Sequence, residues 1–307
     1  MNDFDDAVAI LVDVCKSTNR RIEGVCEKKV KCRNGLGVWP LVVVLMGIRC
    51  GWERRKIVLL GTMINLLSYV HLHIDKVVDK HYDRLRKYNS IGLFGVFPKS
   101  VDSDQDYQNL SLLHATLTIY AWVDIVRELS ISFQDKVVFD KYVDKTIKYM
   151  AEIDAGMVGE TLNYVKLEKN RWKRIHFQTG RDYNLELSEA VSLFCFSHKE
   201  EQVWKEIRER YAEAFEIQDD LDDLVEDKTL GLVNNCKGRL VSKLINKRDW
   251  GLEKMNELFH KVGWDELGQL ISEMVINYKT GESKMVKVIR LAENRALGFV
   301  PKGIDIH

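Results

Sequence analysis

Residues Phe215 to Asp227 read FEIQDDLDDLVED, with Asp219, Asp220, Asp222 and Asp223 inside five consecutive positions. On a helix, residues three and four apart share a face, so Asp219 and Asp223 point together with Asp220 beside them. Ala214, Phe215, Ile217, Leu221 and Leu224 supply the apolar side. Crowded carboxylates repel unless a cation sits among them, and all-oxygen donors suit a hard divalent ion such as magnesium. The ordinary alternative for an acidic run is a solvated helix face. A second stretch favours the metal reading. Tyr69 to Arg86 reads YVHLHIDKVVDKHYDRLR, with Asp75 and Asp79 again four apart and Arg84 five residues further on. Leu66, Leu67, Val70, Leu72, Ile74, Val77 and Val78 make its context apolar and helical. Two helices with carboxylates at one spacing predict a shared Mg2+ site, with Asp75, Asp79, Asp219, Asp220 and Asp223 as ligands. Magnesium completes its shell with phosphate and water, so the expected substrate is phosphorylated.

The elements that must position these residues read as helices. Only 3 prolines occur in 307 residues, and apolar positions recur at helical spacing along most of the chain. Asn34-Gly35 is the one hairpin-like dipeptide, and no alternating strand pattern flanks it. The expectation is an all-α single domain over residues 1–307, without internal repeats. A first helix runs from Asp3 to about Val30, followed by a polar loop from Lys31 to Gly37. Pro40 then stands in the first turn of an apolar helix, LVVVLMGI. Residues 53–88 carry one or two helices ending in the Asp75/Asp79 stretch, and 89–107 form a loop. Helical patterns return over Tyr107–Leu129 and Val137–Lys169. RWKRIHFQTGRDY, 171–183, reads as a basic break before an apolar helix from Leu185 to Phe196. The acidic helix spans Gln202–Leu224, EDKTLGLVNNCKGR is a polar loop, and 240–298 reads as two closing amphipathic helices.

Composition excludes several classes. Lys plus Arg equals Asp plus Glu at 46 each, so no global field draws nucleic acid, and RWKR at 171–174 reads as a solvated loop or phosphate lid. Six cysteines without a CxxC pair fit free thiols in a reducing compartment. The longest apolar run, Val38 to Ile48, is too short for a bilayer, and MNDFDD is no signal peptide. The expected location is the cytoplasm. His71 and His73, two apart, diverge on a helix and read as wall or packing residues rather than ligands. No Ser-His-Asp or Cys-His order suggests a covalent nucleophile, and no glycine-rich phosphate loop follows a strand.

The two acidic stretches in this order, over a helical chain, resemble the trans-isoprenyl diphosphate synthase (polyprenyl synthetase) family. The resemblance spans roughly residues 30–240. FEIQDDLDDLVED is similar to the family's FQIxDDxxDxxxD, Gln218 and Asp227 included. It implies an isoprenoid-synthase-type helical bundle around a central cavity, usually homodimeric. It also implies a Mg2+-dependent enzyme that ionises an allylic prenyl diphosphate. In that frame Arg84, Thr179, Gln218, Lys237, Arg239 and Trp39 are the expected substrate-binding residues. Arg239 and Lys237 fall in NNCKGR, where the family has DxxxGK, and Gln178-Thr179 stands for the family's KT.

The departures are one-sided. The family's first motif, DDxxDxxxxRRG, here reads Asp75, Lys76, Val77, Val78, Asp79, then Arg84 and Leu85. GKxxRP reads Gly35-Leu36-Gly37-Val38-Trp39-Pro40, and the family histidine upstream falls on Ser68. In the family these four positions, here Leu36, Trp39, Ser68 and Leu85, hold the diphosphate of isopentenyl diphosphate. Their cationic or donor groups are gone. The resemblance therefore implies a retained allylic donor (C10–C20) and an acceptor other than isopentenyl diphosphate. Three readings follow: prenyl transfer to an apolar or aromatic acceptor with Leu36 and Trp39 in its pocket; terpene cyclisation guided by aromatic faces such as Trp39, Tyr69 and Phe215; or a non-catalytic subunit that regulates an active synthase. Lys76 and Gln178 favour the last; the five retained aspartates argue against it.

Overall fold

Helices propagate where neither proline nor clustered glycine intervenes, and the computed structural model accordingly consists of long ones. It describes residues 2–26, 36–78, 104–133, 136–164, 169–194, 197–229 and 238–298. Among the described residues the order is α1 (Asn2–Cys26), α2 (Val38–Arg49), α3 (Arg54–Val78), α4 (Asp104–Ser132), α5 (Lys136–Tyr164) and α6 (Lys169–Ser188). A 3₁₀ turn (Glu189–Phe194) leads to α7 (His198–Thr229), α8 (Gly238–Lys261), α9 (Asp265–Ile276) and α10 (Lys284–Ala296). No strand occurs among these residues, so the all-α expectation holds. None of the described helices is long and apolar enough to cross a membrane.

The chain divides into two compact units, Met1–Asp144 with Lys287–His307, and Lys145–Val286. In the first, α3 packs against α4, α1 and α2. Leu60, Met63, Ile64, Leu66 and Leu67 of α3 are fully buried. The α2 helix is buried from Trp39 through Val44, and Pro40 sits in its first turn, where a missing N–H leaves no broken bond. Arg21 of α1 pairs with Asp124 and Glu128 of α4, and Arg55 of α3 reaches the same Glu128 at 3.1 Å. The hydrogen bond from Arg21 holds the Glu128 carboxyl below the usual carboxylate range, against the opposing effect of burial.

In the second unit, α7 packs against α6 and α8. Trp204 of α7 meets Phe259 of α8 edge-on at 5.5 Å. The 3₁₀ turn is tied to α7 by a buried ion pair, Glu189 with Arg208, and Lys145 of α5 approaches Glu189 at 2.9 Å. A buried carboxylate needs such partners.

Four expected boundaries are corrected. Residues 171–183 are no break; they lie inside α6, which continues to Ser188 before the 3₁₀ turn. Gly180, inside that stretch, sits at a close helix contact. The closing region 240–298 holds three helices rather than two: Gly263, at a φ of 73°, closes α8, and α9 ends at Ile276 ahead of a turn that contains Gly281 at a φ of 70°. Residues 226–229 and 238–239, expected in a loop, belong to α7 and α8, and 104–107 belong to α4. No proline or glycine interrupts α7 before Gly231, and Asp104 and Asp106 suit a helix start.

Candidate functional site

The acidic stretch lies near the end of α7, as its periodicity requires. Ala214, Ile217 and Leu221 are buried, while Asp219 and Asp220 are half-buried on the opposite side. Gln218 is buried and clamped. Arg248 of α8 donates to its Oε1 at 2.5 Å, and its Nε2 donates to Asp222 Oδ1 at 2.8 Å, one turn on. Lys279, in the turn after α9, stands 3.8 Å from Asp219 Oδ1. Phe215 packs edge-on against Tyr278, the neighbour of that lysine, at 4.9 Å. The α7 aspartates therefore project from a helix whose other faces are fixed by α6 and α8.

Thr179 is buried in α6, pressed against Gly156 of α5, and Gln178 beside it is exposed. One residue on, the Glu216 carboxylate occupies the space that a Cβ at Gly180 would take. Asn184 donates to Glu216 Oε1 at 3.0 Å and to the Gly180 carbonyl at 3.1 Å. This lattice holds α7 directly upstream of Gln218 and Asp219. Burial raises the Asp182 carboxyl on the same helix, with Arg181 opposing the shift.

Asp75 is helical in α3, in the first unit; its side chain lies outside the described set, as do those of Asp223 and Arg239. Asp79, Arg84, Leu85 and Lys237 lie wholly outside the described residues, and Asp227 is helical in α7 with its side chain outside the described set. Upstream of Asp75, His71 and His73 are buried in α3, in keeping with wall residues. His73 faces His114 of α4 with ring centroids 5.5 Å apart. Burial lowers the His114 pKa from 6.5 to about 4.

Of the four positions that resemble the acceptor site, Leu85 lies outside the described residues. Leu36, Trp39 and Ser68 are all buried. A Cβ on Gly37 would lie 3.2 Å from Ser68 Oγ, so the entry to α2 rests on the middle of α3. Ser68 Oγ donates to the Ile64 carbonyl at 3.3 Å, and the Leu36 N–H donates to Glu293 Oε1 of α10 at 2.9 Å.

No protein-family model matches the sequence, and no curated protein does. Solved structures do. The chain superposes on a geranyltransferase from Legionella pneumophila with a TM-score of 0.56, covering 96% of this chain and 98% of that one. The fold is that of an isoprenyl diphosphate synthase. At 10% identity the likeness establishes the fold and nothing finer. Geranylgeranyl pyrophosphate synthetase from the archaeon Geoglobus acetivorans aligns at a TM-score of 0.49 and 13% identity, over 95% and 98% of the two chains.

On this fold, Asp219 and Asp220 offer hard oxygen donors from one helix, and that chemistry fits magnesium. Among the described residues no group of three His, Cys, Asp or Glu side chains is gathered for a metal. Three of the five expected ligands have side chains outside that set. Sequence reasoning missed Arg248, Lys279, Asn184, Glu216 and Glu293. Each acts on a partner in another element or turn, and none sits in a motif of its own. The nearest signal is Glu216, a charged residue on the apolar side of FEIQDD.

Proposed function

We propose that the chain, taken whole as one isoprenoid synthase domain, is a Mg2+-dependent prenyltransferase. It ionises an allylic prenyl diphosphate of ten to twenty carbons and passes the prenyl group to an acceptor other than isopentenyl diphosphate. The observation that carries this reading is the contrast between two surfaces. Asp219 and Asp220 stay half-exposed on a braced helix, whereas Leu36, Trp39 and Ser68 are buried with no cationic side chain of their own. The likeness in fold over 96% of the chain supports it.

Asp219, Asp220 and Asp223 on α7, with Asp75 and Asp79 of the first stretch, would hold magnesium. Bound there, the metal supplies charge for a departing diphosphate. The chain's own residues do the rest. Arg248 and Asp222 lock Gln218, and the Gly180–Glu216–Asn184 contact sets the height of the aspartates along α7. Lys279, partly exposed and 3.8 Å from Asp219 Oδ1, is a counter-charge for Asp219 and a candidate partner for a diphosphate bound there. Arg84 and Arg239 add charge-assisted hydrogen bonds to the leaving group. Trp39 and Leu36 wall an apolar acceptor pocket. A homodimer, with Leu112, Leu113 and Tyr120 exposed on α4, belongs to the same proposal.

The test is incubation of the protein and Mg2+ with geranyl, farnesyl or geranylgeranyl diphosphate, with and without isopentenyl diphosphate. Pyrophosphate and organic-extractable products are recorded together. Pyrophosphate release that Asp219→Ala and EDTA both abolish is the expected result. Turnover unchanged in Asp219→Ala removes the metal assignment. A longer prenyl diphosphate formed only with both substrates would identify ordinary elongation; a hydrocarbon from the donor alone would identify a cyclase.

A further inference from the structure

Two polar atoms inside the first unit are buried and have no hydrogen-bond partner among the described residues: the amide oxygen of Asn65 on α3 and the indole N–H of Trp122 on α4. The two residues are 1% and 4% exposed. The first atom is an acceptor and the second a donor, and leaving either unpaired away from water is costly. The packing sets them at one level. α3 and α4 run antiparallel, with His73 facing His114 at one end and Lys56 beside Phe133, just past α4, at the other. Asn65 lies eight residues before His73 and Trp122 eight after His114, so this register sets them opposite each other. Contacts of α1 lead to the same level independently. Asn65 Nδ2 donates to Thr18 Oγ1 at 3.2 Å, and Arg21, one turn on along α1, pairs with Asp124, two residues from Trp122.

The hydroxyls of this layer are already engaged. Thr18 donates to the Val14 carbonyl at 2.9 Å. Thr62 and Thr118, one turn away on α3 and α4, donate to the Val58 and His114 carbonyls of their own helices at 2.7 Å each. Neither Asn65 nor Trp122 carries charge, and Leu66, Ala121 and Ile125 beside them in sequence are buried and apolar, so an ion is a poor match. We infer that Asn65 and Trp122 bind one water molecule between α3 and α4, which accepts from the indole N–H and donates to the amide oxygen. Through the Asn65–Thr18 bond the same link reaches α1. Val14, Thr18, Asn65, the water and Trp122 then form one hydrogen-bonded chain across three helices. α3, the helix that leads to Asp75, cannot slide along α4 without breaking it.

The experiment reads the water directly, by NMR on the full chain with isotope-labelled tryptophan indoles. Among the signals of the 7 tryptophans, that of Trp122 is the one that disappears in Trp122→Phe. In the unmodified protein its indole proton should show a cross-peak at the water frequency. The laboratory-frame and rotating-frame signs of that peak should be opposite, the mark of a held water rather than of proton exchange. Asn65→Leu, close in size, removes the acceptor, and the cross-peak should be lost. Urea midpoints give a second reading. If one water serves both residues, either Asn65→Leu or Trp122→Phe releases it, so the double variant should lose clearly less stability than the two single losses together. Absence of the water cross-peak from Trp122 in the unmodified protein overturns the inference, as does a cross-peak that persists in Asn65→Leu or a pair of losses that simply add. If Asn65→Leu does not fold, the spectrum of the unmodified protein decides alone. None of these readings involves metal or a prenyl substrate, so they stand apart from the prenyltransferase proposal.

Discussion

Gly180 shows how one absent side chain places the candidate ligands. The Glu216 carboxylate fills the space that a Cβ at this position would take, and Asn184 fixes the same carboxylate from one turn away. Gly180→Ala should displace the Glu216 carboxylate from Asn184 and destabilise the protein by ~1–3 kcal/mol, the usual cost of overpacking a fitted contact. Urea denaturation reads this directly, and a midpoint equal to that of the unmodified protein would show that the two helices yield freely. At this scale the motif was legible and its support was not. Asp219 and Asp220 announce themselves by crowding within one helical turn. Arg248, which holds Gln218, lies 30 residues away in sequence. Nothing local distinguishes it from a surface arginine, because its role is created by the packing of α8 on α7.

Between elements, the α3–α4 contact carries a titratable group. His114 of α4 lies buried against His73 of α3, and burial holds its pKa at about 4 rather than 6.5. The sign follows from the neutral ring being the folded form. Above pH ~6.5 folded and unfolded chains both carry it uncharged and stability is full; as pH falls toward 4 only the unfolded chain gains the proton, and stability drains away. The shift corresponds to ~3 kcal/mol across that window, at 1.36 kcal/mol per unit. His114→Leu should therefore lose less stability than the parent protein between pH 7 and pH 4.5, read as the change in urea midpoint. An identical pH slope in both proteins would mean that His114 is solvated. Helix identity was legible at this level from apolar periodicity in α7 and from the apolar run behind Pro40 in α2. It failed where punctuation has two meanings. Gly180 lies inside α6 at a close contact, whereas Gly263 closes α8, because its positive φ is a backbone property that no pattern of apolar residues reports.

For the molecule as a whole, the fold was legible because its signal is summed over the chain, whereas pairing of two chains rests on a few exposed side chains. Leu113 and Tyr120 lie two turns apart on one face of α4, with Leu112 beside them, and are 47%, 59% and 46% exposed. Large apolar side chains spaced along one helix face are a costly surface for a monomer and a suitable one for association. In a dimer built on this face, Leu113→Glu combined with Tyr120→Glu places like charges opposite each other at the interface centre. Sedimentation of the unmodified protein should then give twice 35.7 kDa, and the double variant 35.7 kDa. Thermal stability of the unmodified protein should fall on dilution, as mass action requires of a folded state that dissociates, and that of the variant should not. A single 35.7 kDa species for the unmodified protein at micromolar concentration would remove the dimer from the proposal. It would leave the α7 aspartates untouched, since Gln218, Glu216 and Asn184 brace them from within one chain.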